Sequence, residues 1–84
     1  MKYKIEIAPL VDYYVIAVKD KVTGELVDTF TLNESGTDML NLFFQGKETP
    51  IVAKEIAEMY EAPIEEVITD VTKFAERLQK KGLI

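Results

Sequence analysis

Hydrophobic and polar residues alternate along three segments in the first third of the chain. In residues 2–8, Tyr3, Ile5 and Ile7 alternate with two lysines and a glutamate, which is the pattern of a strand with one buried face. Residues 13–20 are apolar on both faces until the segment ends, which is typical of a central strand. The sequence therefore predicts that the second strand lies between two outer strands.

The third segment, residues 25–32, is the second outer strand. A period of two places Leu26, Phe30 and Leu32 on one face and Val27, Thr29 and Thr31 on the other. Asp28 falls on the apolar face, so we expect that face to reach solvent at one end. Because the joins between the strands are short, neighbouring strands are expected to run antiparallel, as a meander with two free edges.

Three segments with helical periodicity follow the strands. The first helix is predicted to begin near Asn33, whose side chain can cap free amides, with Ser35 as an alternative cap. Pro50 is predicted to open the second helix and Pro63 the third. In the third helix the acidic residues come early and the basic residues late, which suits the helix dipole.

Composition narrows the classes of function. The chain has 84 residues, which is the size of one small domain, expected to span residues 1–84. It has no cysteine and no histidine, so it lacks thiolate chemistry and the usual general base. The acids are scattered or sit in first turns of helices, so we expect no enzyme activity, no metal site and no cofactor.

Charge and hydropathy limit the partners and the cellular location that we expect. The net charge of −5 works against nucleic acid and anionic lipid, since both attract positive charge. There is no long apolar run, so we expect neither a membrane span nor a signal peptide. The absence of cysteine fits a cytoplasmic protein.

The two outer strands differ in how their edges are protected. The first has Lys2, Lys4 and Glu6 on its exposed face, and charges there commonly deter edge-to-edge association. The third has Val27, Thr29 and Thr31, which are uncharged and have high strand propensity. Two interpretations stay open: this edge receives a partner strand, or Glu25, Asp28 or a covering helix protects it.

Several motifs, in order and at consistent spacing, resemble those of one family. "LNES" at 32–35 is followed by an apolar helix, then by "IAEMY" at 56–60, "PIE" at 63–65, "DV" at 70–71 and "KGLI" at 81–84. Together these motifs resemble the PqqD-like family, named for pyrroloquinoline quinone (PQQ) biosynthesis. The resemblance covers residues 13–84. It departs in the polar hairpin "KDKVTGE" and at Lys47 and Glu48, where the family's usual turn is only partly present.

The resemblance implies an α+β fold that is winged-helix-like, with a three-stranded antiparallel meander followed by three helices. It also implies a peptide chaperone, or RiPP recognition element (a domain that recognises precursors of ribosomally made natural products). Such a domain binds the leader segment of a precursor peptide by strand addition and presents it to a radical SAM (S-adenosylmethionine) enzyme. Carried over to this sequence, the receiving edge is the backbone of Leu26, Val27, Asp28, Thr29, Phe30 and Thr31. The helical wall is assigned to Ile68, Val71, Thr72 and Ala75.

Three alternatives stay open. One is a winged-helix DNA-binding or regulatory module, since Lys73, Arg77, Lys80 and Lys81 form a basic patch; the acidic start of that helix argues against it. The second is self-association through the same edge, although we expect a monomer or a weak dimer. The third is an edge with no partner at all.

Overall fold

The computed structural model describes residues 2–84 and has three strands followed by three helices. The elements are β1 (Tyr3–Pro9), β2 (Tyr14–Asp20), β3 (Leu26–Leu32), α1 (Glu34–Phe44), α2 (Thr49–Tyr60) and α3 (Ile64–Lys80). The predicted α+β order is therefore confirmed, and "winged helix" describes it only loosely. The chain divides into two compact units, the first ending at Thr37 and the second running from Asp38 to Ile84.

The first unit contains an antiparallel sheet in the order β1-β2-β3. Ile16 and Val18 of the central strand have no exposed surface. Their register partners are Ile7 and Ile5 on β1, and Phe30 and Asp28 on β3. Since paired residues share a face of the sheet, these residues form its inner face, as the alternation predicts.

A register shift interrupts the pairing of β2 with β3. Val18 is opposite Asp28, but the next residue of β2, Lys19, is opposite Leu26, so Val27 is an extra residue on β3. The strict period of two predicts Leu26 on the face of Phe30, and that assignment is wrong. Because the bulge shifts the alternation by one residue, Leu26 lies beside Lys19 and is 59% exposed.

The hairpin before β3 is fixed by one carboxylate and one glycine. Asp20 Oδ1 accepts hydrogen bonds from the backbone N–H groups of Val22 and Thr23, at 2.8 and 3.0 Å. Gly24 has a φ of +75°, a left-handed backbone conformation that glycine adopts without strain in a hairpin. The hydrogen bonds from Thr23 and Val22 hold the pKa of Asp20 below its ordinary value.

The second unit contains helices only, and an aromatic pair lies in its core. The rings of Phe43 and Phe74 lie 6.3 Å apart between centroids, so they join α1 to α3 in the unit's core. At the end of α3, the N–H of Leu83 donates to the carbonyl of Leu78 at 2.9 Å across Gly82, whose φ is +74°. This is a Schellman closure of the helix, and the side chains of both leucines are buried.

The hydrogen bonds at the start of α1 show which of the two predicted residues caps the helix. Asn33 Oδ1 accepts the N–H of Gly36 at 2.8 Å, whereas the Ser35 hydroxyl only donates to Asn33 Oδ1, at 3.3 Å. Asn33 is therefore the cap, and it fixes the point where β3 gives way to helix.

We predict that Asn33→Ala lowers the free energy of unfolding by about 1 kcal/mol, because it removes the cap. Asn41→Ala is the matched control: Asn41 is exposed inside α1, where alanine has the higher helix propensity, so that variant should be at least as stable as the wild type. Urea unfolding measures both values. Equal stability of the two variants would contradict the capping role of Asn33.

Candidate functional site

The direction of the backbone groups in β2 can be read from hydrogen bonds at the ends of the sheet. The N–H of Lys21 donates to the carbonyl of Lys2, just before β1, at 3.1 Å. The N–H of Asp20 donates instead to the carbonyl of Glu25, just before β3, at 2.9 Å. In an antiparallel sheet this direction alternates along the strand. Odd-numbered residues of β2 therefore bond to β1, and even-numbered residues bond to β3.

This alternation determines which groups of β3 face outwards. Phe30 is opposite Ile16, an even-numbered residue, so its N–H and C=O point into the sheet. Thr29 and Thr31 are opposite Ala17 and Val15, so their N–H and C=O groups point away from β2. Within residues 2–84, β2 is the sole strand neighbour of β3. The outer border of β3 therefore presents at least two donors and two acceptors, here called the open edge of β3.

The open edge is lined by uncharged side chains. Val27, Thr29 and Thr31 are exposed, and Val27 keeps 48% of its surface accessible. Asp28 and Phe30 point to the inner face and are only partly exposed. No lysine or proline interrupts the strand, which leaves it well suited to pairing.

The border of β1 is protected in two ways. Pro9, at the end of β1, lies opposite Tyr14 and has no N–H to offer, which shortens the usable border. Glu6 and Lys19 form an ion pair at 2.7 Å on the exposed face. The hydrogen bond and the positive charge of Lys19 hold the pKa of Glu6 below its ordinary value, so this charge persists into mildly acidic solution. The predicted difference between the two borders is thus visible in the structure.

A shallow depression of about 400 Å³ follows the exposed side of α3. Its lining residues are Ile68, Thr69, Thr72, Lys73 and Glu76. Of the four residues assigned to the helical wall, Ile68 and Thr72 therefore lie at accessible surface, whereas Val71 and Ala75 are buried, with 0% and 6% exposure. The helical wall assigned from the sequence did not include Thr69, Lys73 or Glu76, although their helical spacing from Ile68 and Thr72 places them on the same side.

Residues 2–84 contain no group of three or more acidic, cysteine or histidine side chains placed to bind a metal ion. In the same part of the chain, no helix combines the length and apolar character needed to cross a bilayer.

We predict that the amides of β3 exchange with solvent deuterium in an alternating pattern. The amides of Thr29 and Thr31 face solvent, so they should exchange about tenfold faster or more than those of Phe30 and Leu32, which bond to β2. Residue-resolved hydrogen exchange by NMR on the isolated protein measures the rates. Equal protection along the strand would mean that another part of the molecule covers this border.

Comparison with known proteins identifies the family to which this chain belongs. The family model "Coenzyme PQQ synthesis protein D (PqqD)" matches residues 23–84. None of the curated proteins matches the sequence. Among solved structures, TbiB1 in complex with the TbiA(beta) leader peptide is similar, with 25% identity and a TM-score of 0.67. That match covers 99% of this chain and 93% of TbiB1. The resemblance inferred from the motifs is confirmed, and the chain belongs to the PqqD family.

Proposed function

We propose that this protein is a RiPP recognition element that captures the leader segment of a ribosomally made precursor peptide. The observation that carries the proposal is the open edge of β3, with the backbone groups of Thr29 and Thr31 directed outwards. The PqqD family and the likeness to TbiB1, which was solved with a leader peptide, support it. An extended peptide would add to β3 as a fourth strand, and the domain itself would perform no catalysis.

The free energies of the backbone hydrogen bonds show how much they alone would contribute to peptide affinity. Four hydrogen bonds at the open edge would provide about 2–6 kcal/mol in total, at about 0.5–1.5 kcal/mol each. Micromolar affinity needs about 8 kcal/mol, and ordering the peptide adds to the cost. The backbone can therefore position the peptide, but apolar side-chain contacts must supply the rest of the affinity.

The α3 residues of the proposed site divide by accessibility. Ile68 and Thr72 lie at the surface and are the ones we propose to contact the peptide directly. Val71 and Ala75 are buried, so in the free protein they would support the site from below. Lys73 and Glu76 offer one charge of each sign in the same depression, which would favour peptides with polar residues there.

We also propose the wider setting that the family resemblance implies. A captured leader would keep the core of its precursor within reach of a modifying enzyme of the radical SAM class, in a pathway related to PQQ biosynthesis. Such an assembly would work in the cytoplasm, with this domain as a monomer or weak dimer that contributes affinity and placement rather than chemistry.

The surface of α3 is less suited to nucleic acid than to a peptide. Arg77 and Lys80 lie in the last turn of α3, but Glu65 and Glu66 occupy its first turn and are exposed. A recognition helix enters the major groove by its first residues, so these carboxylates would face phosphates.

Proline substitution at the open edge tests the proposal. Thr29→Pro or Thr31→Pro removes one outward donor and should weaken binding of a peptide at least about tenfold. The peptide is one selected on the wild-type domain from a random 12-residue display library, and fluorescence anisotropy measures its affinity. Circular dichroism checks that each variant still folds.

Thr29→Val and Thr31→Val are the matched controls. Valine keeps the backbone N–H and the strand propensity of threonine, so these variants should bind within about threefold of the wild type. If the folded proline variants bind as well as the valine variants, strand addition at β3 is wrong. Failure to select any peptide would also contradict the proposal.

A further inference from the structure

Two adjacent aliphatic residues, Leu26 and Val27, are exposed at one end of β3. Their exposed fractions are 59% and 48%. The other exposed residues of the strand are Thr29 and Thr31, which carry only one methyl group each. An apolar pair inside a strand that is otherwise lined by threonine is a distinct surface, here called the apolar step.

The bulge produces this surface. Because Val27 has no partner on β2, the strand returns to register only at Leu26, opposite Lys19. The ammonium group of Lys19 bonds to Glu6 on β1 at 2.7 Å, so it is held away from β3. Neither β2 nor the ammonium group of Lys19 therefore occupies the apolar step.

We infer that the apolar step selects leader peptides that have a large aliphatic or aromatic residue at one fixed position. This inference rests on the proposed function. A strand added beside β3 turns every second side chain to the face of Thr29 and Thr31. Two side chains lie beside these threonines, and the next one on that face meets the apolar step. The selected residue therefore stands about four positions from the one opposite Thr31.

Position and chemistry both fit such a residue. The apolar step is continuous with the open edge, so a peptide held by Thr29 and Thr31 reaches it without leaving the strand conformation. The backbone bonds alone fall short of micromolar affinity, and the burial of one large apolar side chain against Leu26 and Val27 supplies part of the difference. A peptide with a charged residue at this position would lose that contact and desolvate its charge.

The test compares the peptides that two proteins select. A random 12-residue display library is selected on the wild type and on the double variant Leu26→Thr, Val27→Thr, which keeps residues of high strand propensity. We expect wild-type peptides to share a large apolar residue at a fixed position, and the double variant to lose that preference. Wild-type peptides should bind the double variant about five- to tenfold more weakly.

Val22→Thr is the control, since Val22 is 93% exposed in the hairpin outside the sheet and should leave the selection unchanged. Methyl NMR on the wild-type protein gives a second measurement that needs no folded variant: the selected peptide should shift the Leu26 and Val27 methyl signals. If the double variant keeps the preference for a large apolar residue, or if the Leu26 and Val27 methyl signals do not shift, the inference about the apolar step is wrong. The proposed binding of a leader peptide would still stand. If the wild type selects no peptide, the proposed function fails, and this inference fails with it.

Discussion

The backbone of a strand at the border of a sheet carries donors and acceptors that only water satisfies until another chain pairs with them. In this protein, Thr29 and Thr31 direct such groups outwards from β3. The pairing is worth little per bond in water, but it fixes an extended peptide in one register. Everything proposed about the protein's function depends on these two residues remaining available.

Other features of the first unit restrict strand pairing to one border of the sheet, that of β3. On β1, a proline and an ion pair between Glu6 and Lys19 discourage pairing. On β3, the Asn33 cap starts α1 directly after the strand, and the bulge at Val27 lies near the opposite end. The usable border is therefore short, which limits both what can pair there and how many backbone bonds it can form.

Local sequence patterns were sufficient for much of this structure. The alternation in β1, the cap at Asn33 and the order of three strands and three helices follow from local patterns of residues, and each was predicted. The face of Leu26 was predicted wrongly, because a bulge depends on how two strands pair and leaves no periodic signal in one of them. The burial of Val71 and Ala75 likewise depends on tertiary packing, since helical periodicity gives the apolar side of α3 but not its accessible rim.

The most direct measurement of the central claim is the detection of hydrogen bonds between a bound peptide and β3. NMR scalar couplings across hydrogen bonds, with isotope-labelled domain and peptide, identify each donor and acceptor pair. We predict couplings that join the amides of Thr29 and Thr31 to carbonyls of the peptide. Couplings from β1 amides instead, or peptide binding with no coupling to β3, would contradict the account.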